Sequence, residues 1–135
     1  MPILFNRVER SHPSNGTAPK KWYPVLKIIS RLEEKDVARE IADETTLNRK
    51  EAEMSLTQLE KVLTRNLLSS RSVQIGDWGT FHLTCKGVGS AVKEEVTANS
   101  IKSLNVRFVP GKSLKKALDD ATFIPAESIV TKPGE

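Results

Sequence analysis

The sequence predicts an α+β protein in which two helices precede an antiparallel sheet and a short helix closes the fold. Between residues 33 and 68, apolar residues recur every three or four positions, which is the period of an amphipathic helix. Between residues 73 and 86, and again between 104 and 108, apolar and polar residues alternate as in a half-buried strand. Helices followed by strands in separate runs are typical of the α+β class.

The first 32 residues predict an N-terminal β-hairpin extension. Residues 3–8 and 22–30 are rich in apolar, aromatic and β-branched side chains, and dense turn signals fill residues 11–20. Lys20 and Lys21 stand beside Trp22 and Tyr23, a combination that could grip nucleic acid. We favour the simpler interpretation, in which this is a strand edge with packed aromatic side chains.

Two helices follow. Residues 33–44 place Val37 and Ile41 on one apolar stripe, and Asn48 with Glu51 has the spacing of a capping box at the start of the second helix. An apolar stripe then continues until the Ser69–Ser72 segment interrupts it, through Ala52, Leu56, Leu59, Leu63 and Leu67. An amphipathic helix of about six turns needs a large apolar partner surface.

The strand region predicts an antiparallel sheet with one apolar and one polar face. Phe81, Leu83 and Cys85 alternate with Thr80, His82, Thr84 and Lys86. Residues 87–100 contain little core-forming material, so we expect them to project as a flexible β-arm. Pro110-Gly-Lys then opens a short C-terminal helix from about Ser113, and the residues from 123 onward are expected to be a loosely held tail.

Composition limits the possible functions. The 135 residues are 38% hydrophobic, which is enough for one modest core. The single cysteine, Cys85, excludes an intramolecular disulfide, and we expect a buried structural thiol. One cysteine and two histidines are too few for a structural zinc set, and no segment approaches eighteen consecutive apolar residues. We expect no metal, no other cofactor and no membrane association.

No arrangement of residues predicts catalysis. His12 and His82 lie far apart in the chain. His82 falls on the polar strand face, which we expect to be exposed, without a carboxylate at a suggestive spacing. The Gly76 and Gly79 pair lacks the strand-then-helix setting and the terminal Lys-Ser/Thr of a phosphate loop. We therefore predict that the protein is not an enzyme, with no catalytic residues and no small-molecule substrate.

Charge is unevenly distributed along the chain. Residues 1–32 contain six basic residues and one acidic residue, residues 33–70 contain six and nine, and residues 71–124 contain eight and five. The helical region is therefore acidic, whereas the N-terminal and strand regions are basic. A nucleic-acid surface would lie on the basic regions.

Gly76-Asp-Trp-Gly-Thr-Phe81, followed by Phe108-Val-Pro-Gly-Lys112, resembles a paired motif of the HU/IHF family of histone-like DNA-binding proteins. The order of the elements from about residue 33 to 122 also resembles that of the HU/IHF-like fold. The preceding residues are similar to those of Bacteroidetes HU-like proteins that carry extra N-terminal strands. The resemblance implies three parts: an N-terminal β-strand extension (1–32), an HU-like DNA-binding domain (33–122) and a flexible C-terminal tail (123–135).

The same resemblance implies a homodimer that binds double-stranded DNA through a basic β-saddle and arms, as a sequence-tolerant, cytoplasmic, nucleoid-associated architectural protein. The residues buried across the dimer core would be Leu56, Leu59, Leu63, Trp78, Phe81 and Phe108. The candidate phosphate ligands are Lys86, Lys93, Lys102, Arg107, Lys112, Lys115 and Lys116. The start of the last helix is also expected to offer free N–H groups to a phosphate.

The arm departs from the family pattern. It has no proline at the tip, where HU/IHF proteins insert one between base pairs, and Glu94 and Glu95 lie close to that position. Carboxylates repel phosphates, so we expect weaker bending. The alternative function is a protein–protein interaction or assembly module on the same scaffold, without strong DNA binding.

Overall fold

The computed structural model describes residues 1–11, 14, 16 and 19–129. Two compact units divide the chain, one formed by residues 1–31 with 119–135 and the other by residues 32–118. The elements in chain order are β1 (Ile3–Arg10), β2 (Lys21–Leu26), α1 (Glu34–Glu44), α2 (Arg49–Leu67), β3 (Val73–Ile75), β4 (Gly79–Gly87), β5 (Ile101–Pro110), α3 (Lys112–Asp119) and β6 (Phe123–Pro125). This mixture of helices and two small sheets agrees with the predicted α+β class.

The first unit is a three-stranded sheet in the order β2-β1-β6. β1 pairs antiparallel with β2 from Arg10 opposite Lys21 to Phe5 opposite Leu26. β2 is therefore shorter than the segment 22–30 that the sequence predicts. The Lys27 amide still donates to the Leu4 carbonyl oxygen at 2.9 Å, but no strand continues beyond it, and Ile28 and Ile29 are 86% and 71% exposed.

The prediction of a loosely held C-terminal tail is wrong for residues 123–129. β6 pairs in parallel with β1, with Ile3 opposite Phe123, and the Ile3 amide donates to the carbonyl oxygen of Thr122 at 2.7 Å. A 3₁₀ turn, Ala126–Ile129, follows. These residues are ordered because the free edge of β1 supplies hydrogen-bond partners for their backbone. Residues 130–135 of the expected tail, and His12, lie outside the described residues.

The second unit begins with two helices that pack against each other. Ala38 in α1 and Ala52 in α2 are completely buried, because small side chains allow two helices to approach closely. Asn48 is the N-cap of α2, and its Oδ1 accepts from the Glu51 amide at 2.9 Å. Glu51 reaches back to the side-chain amide of Asn48 at 2.7 Å rather than to its backbone N–H.

The second sheet has the order β3-β4-β5, with all strands antiparallel. Phe81 lies opposite Phe108 and Leu83 opposite Val106, so the apolar residues of β4 and β5 share one face. Between these strands, residues 88–100 contain two 3₁₀ turns, Lys93–Glu95 and Ala98–Ser100. A hydrogen bond from the Val88 amide to the Ser100 carbonyl oxygen, at 2.9 Å, closes this connection. The predicted projecting β-arm is not confirmed, because the paired strands end at Gly87 and Ile101.

Candidate nucleic-acid interface

The turn before β4 is joined directly to the start of α3. The Gly111 amide donates to the Trp78 carbonyl oxygen at 2.8 Å, and the Ser113 amide and hydroxyl both donate to the Asp77 carbonyl oxygen, at 3.1 and 2.9 Å. These bonds join the two halves of the paired motif, because donors of the second half satisfy backbone carbonyl groups of the first. We call residues 76–79 with 110–113 the turn–helix junction.

An aromatic cluster supports the junction from the apolar face of the sheet. The ring centroids of Phe81 and Phe108 are 4.8 Å apart, and Trp78 lies 4.8 Å from Phe108 and 6.0 Å from Phe81. Gly79 is buried under this cluster, and a Cβ there would collide with the Phe108 ring and lie 2.7 Å from the Val109 carbonyl oxygen. A glycine at this position is thus a packing requirement.

Three candidate phosphate ligands share one face of α3. Lys112, Lys115 and Lys116 follow the i, i+3, i+4 spacing that places side chains together on a helix, and all three are exposed. Leu114 occupies another face and is half-buried. The junction therefore determines where three cationic side chains lie.

The expectation of free N–H groups at the start of this helix has to be revised. The amides of Gly111 and Ser113 already donate to carbonyl oxygens of the turn. An anion near α3 would be attracted by the lysine side chains, with a smaller contribution from the helix start than the sequence suggests.

The other four candidate ligands lie on β4, β5 and the connection between them. Lys86 and Arg107 point to the polar face, where Arg107 is opposite His82 and Lys86 is opposite Ser103. Lys102 lies at a register irregularity, and its Nζ donates to the Asn99 carbonyl oxygen at 3.1 Å. Lys93 belongs to the first 3₁₀ turn and is exposed. Within the described part of the chain, none of the seven cations forms an ion pair.

The candidate dimer-core residues are incompletely covered by their own chain. Trp78 is 47% exposed and Leu59 is 41% exposed. The remaining four are half-buried, and they are Leu56, Leu63, Phe81 and Phe108.

Three expectations about single side chains are wrong in this structure. His82 is half-buried rather than exposed, and Cys85 is exposed rather than buried. The alternation of apolar and polar residues assigns each residue to a face of the strand. It does not show which part of that face is covered by other elements. Trp22 and Tyr23 are 67% and 43% exposed, so they are not packed aromatics.

Sequence reasoning missed Ser113 as a positioning residue. Its hydroxyl bonds to a residue 36 positions earlier, which no local pattern reveals. The available signal is a hydroxyl residue in the first turn of a helix, where such side chains commonly bond to nearby backbone groups.

A cluster of metal-binding side chains and a membrane-spanning helix are both absent from the described ranges. No group of three or more His, Cys, Asp and Glu residues there could hold a metal ion. None of the helices in the same ranges combines the length and the apolar character that crossing a membrane requires.

The chain matches a family of HU-related proteins over residues 1–125. That family, HU-HIG, is described as an HU domain fused to wHTH, Ig, or Glycine-rich motif. The chain belongs to the HU-HIG family. This membership confirms the resemblance to HU-like proteins that the paired motif and the order of elements predict, and the match includes the N-terminal strands that distinguish this chain from the simpler HU pattern.

This HU-HIG chain is also similar to a solved structure. A candidate bacterial DNA-binding protein from Bacteroides vulgatus ATCC 8482, whose crystal structure is known at 2.25 Å resolution, superposes with a TM-score of 0.66 at 16% sequence identity. The match covers 92% of this chain and 47% of that one, so this chain spans about half the length of that protein. At this identity the likeness shows the fold. A comparison with curated proteins gave no match.

Proposed function

We propose that this HU-HIG chain is a sequence-tolerant architectural DNA-binding protein that contacts the phosphate backbone of double-stranded DNA. The observation that carries the proposal is the face of α3, where Lys112, Lys115 and Lys116 are exposed side by side without carboxylate partners. Like charges this close repel one another, and a phosphate between them relieves that repulsion. Membership of an HU family and the DNA-binding name of the Bacteroides vulgatus protein support the same partner.

Sequence tolerance follows from the type of side chain available. Flexible lysines contact phosphates without reading bases, whereas base readout needs groups that reach into a groove. Lys86 and Arg107 on the polar face of β4 and β5 would extend the contact beyond α3. A nucleoid-associated location in the cytoplasm is the setting that such binding implies.

We also propose that the DNA-binding form is a homodimer. Among the described residues, Ala38, Ala52 and Leu67 form the entire buried apolar set, and no large side chain is fully buried. The apolar face of the second sheet remains open, with Leu104 and Val106 at 56% and 60% exposure. A contiguous apolar surface of this kind is typical of a subunit interface.

We propose that the protein bends DNA only weakly, because of the segment between β4 and β5. It lacks a proline wedge, and the Glu95 carboxylate is held by the Ser90 hydroxyl at 2.5 Å within the connection. Glu94 is exposed beside it. Two carboxylates on this segment repel the DNA backbone and oppose deep insertion.

A second candidate function rests on the same exposed apolar face. A protein-interaction or assembly module would use that face for a protein partner and would not need the lysines. The two functions predict different effects of removing the lysine charges. DNA affinity should fall if the protein binds DNA through α3, whereas binding of a protein partner through the apolar face should not change.

The test is a titration of labelled duplexes of two unrelated sequences at two salt concentrations. With about six phosphates contacted per dimer, log K should fall against log salt with a slope of about −5. The Lys112→Ala/Lys115→Ala/Lys116→Ala variant should weaken binding equally for both duplexes and flatten that slope. The matched control replaces three lysines of the helical region, Lys35, Lys50 and Lys61, and should bind like wild type. Absence of duplex binding by wild type, or equal effects of the two triple variants, would reject the DNA proposal and favour the interaction module.

A further inference from the structure

One face of the β1–β2 hairpin presents apolar and charged side chains together. The strand register places Trp22 opposite Glu9. It also places Pro24 opposite Arg7. Side chains that are directly opposite, or two positions apart on one strand, lie on the same side of a sheet, so these four share one face. All four are exposed, and we call residues 7, 9, 22 and 24 the hairpin face.

The hairpin face has one cation and one carboxylate on β1 and two apolar side chains on β2. Within the described ranges neither Arg7 nor Glu9 forms an ion pair. Trp22 is 67% exposed, so its ring contributes to no core in this chain. A surface that fits this face is therefore apolar on one side, with a carboxylate over Arg7 and a cation over Glu9.

The hairpin face is itself such a surface. A second copy can be turned by half a rotation about an axis that runs across the strands, midway between residues 7 and 9, so that the two faces meet. This rotation exchanges the two positions on β1, and Arg7 of each copy then lies over Glu9 of the other. On β2 the same rotation brings Trp22 of each copy over Pro24 of the other. The face is thus complementary to itself in charge and in apolar character.

The outer edge of β2 is a poor alternative contact for a second copy. The Lys27 amide donates to the Leu4 carbonyl oxygen, and hydrogen-bonded pairs alternate along an antiparallel ladder. The backbone of Val25, opposite Asn6, therefore points toward β1, whereas that of Pro24 points to the free edge. Proline has no N–H to donate there, so it opposes extension of the sheet by another strand. The face is left as the surface by which the hairpin can meet another copy.

We propose that the hairpin face is a self-complementary contact between two copies of this chain, separate from the apolar surfaces of α2 and the second sheet. A face of this size belongs to the smallest class of specific interfaces, so association through it requires concentrations well above micromolar. A homodimer formed through the other surfaces has two hairpin faces, and the contact then links dimers into larger assemblies. That consequence rests on the proposed homodimer, whereas the contact itself does not.

Charge reversal tests the contact in the full chain. Arg7→Glu and Glu9→Arg each bring like charges together in the rotated pair, and each variant alone should weaken self-association by about tenfold or more. The measurement is sedimentation equilibrium without DNA, over a range of protein concentrations. The quantity compared is growth beyond the species present at micromolar concentration, whether that species is a monomer or a dimer, so the result does not depend on the homodimer or on DNA binding.

Recombining the two reversals separates this geometry from a general effect of charge. The double variant Arg7→Glu/Glu9→Arg restores opposite charges at both positions and should self-associate like wild type. An equimolar mixture of the two single variants should also associate, because one chain then has two carboxylates on its face and the other has two cations. The controls Lys35→Glu and Glu40→Arg make the same changes in net charge at exposed positions of α1 and should have no effect.

The apolar half of the face is tested by Trp22→Ala, which should weaken self-association by about tenfold, since a central Trp is a common interface hot spot. Tyr23→Ala is the matched control, because Tyr23 is 43% exposed on the opposite face of the same strand. If Trp22→Ala lowers the melting temperature, the recombined charge variants decide the outcome.

Several results would overturn the inference. One is a wild-type protein that does not grow beyond its micromolar species. Others are single reversals without effect, or a double variant and a mixture that both fail to recover association. Equal effects of Trp22→Ala and Tyr23→Ala would also contradict the proposed face. Trp22-dependent binding to anionic phospholipid vesicles without self-association would assign the face to a membrane surface instead.

Discussion

At the scale of single residues, the positions of the proposed phosphate ligands depend on neighbouring residues that are not themselves proposed ligands. Gly111 allows the start of α3 to approach the turn at Asp77 and Trp78 closely enough for backbone hydrogen bonds. The Ser113 hydroxyl donates to the Asp77 carbonyl oxygen, which also accepts the Ser113 amide. The lysines that we propose as phosphate ligands occupy their positions because these small residues fit.

Gly111→Ala is predicted to destabilise the protein by about 1–3 kcal/mol, as overpacking does in other tightly packed sites. The added Cβ would collide with the Asp77 carbonyl oxygen and lie 2.6 Å from the carbonyl carbon, and backbone atoms cannot rotate away. Denaturant unfolding measures the change in free energy. Gly89→Ala is the control, because its Cβ would meet no atom within 4 Å. Equal denaturation midpoints for the two variants would show that the turn–helix junction has room for a Cβ at residue 111.

At the scale of elements, α2 begins where its capping residues allow and ends where the backbone turns. Asn48 satisfies a first-turn amide that has no intrahelical partner. At the other end, Ser70 has a positive φ of 63°, and the Arg71 amide bonds back to the Asn66 carbonyl oxygen at 3.1 Å. Both signals are local, so the helix has the same limits in the structure as in its sequence pattern.

Asn48→Ala is predicted to lower the free energy of unfolding by about 0.5–2 kcal/mol, because the Glu51 amide loses its acceptor. Asn48→Ser keeps an acceptor oxygen at the cap without placing a second carboxylate beside Glu51, and it should restore most of the stability. Thermal melting followed by circular dichroism separates the variants. A stable Asn48→Ala protein would mean that water or the Glu51 side chain replaces the cap.

At the scale of the whole molecule, the open apolar surfaces are the main feature. The helices and the second sheet leave apolar side chains exposed on α2, on β5 and at Trp78 in the turn before β4 of the described chain. A domain of this size normally covers most of its apolar surface. The proposed homodimer provides the missing cover.

The dimer proposal predicts a sedimenting species of twice 15.0 kDa at micromolar concentration and a melting temperature that rises with protein concentration. Leu59→Lys places a charge on the apolar stripe of α2 and should shift the protein toward monomer, because an unpaired charge in an apolar interface is costly. Met54→Lys is the control, since Met54 is 70% exposed and lies off that stripe. A folded wild-type monomer would exclude this interface.

The sequence alone determined the features that arise from neighbouring residues. Alternation in β4 and β5 assigned Phe81 and Phe108 to one face, and the spacing of Asn48 and Glu51 predicted a helix start. The paired motif indicated the family, because each of its two halves can be recognised in a few neighbouring residues. These patterns are readable since backbone geometry repeats over a few residues.

Only the tertiary structure decided which surfaces are covered and which distant segments pair. β6 has only three residues and is ordered by the edge of β1, about 120 positions earlier, so its own sequence could not reveal it. The exposure of Cys85 and Trp22 likewise depends on what packs above them rather than on their strand period. Long-range pairing and coverage depend on the relative positions of elements, and a local pattern contains no information about those positions.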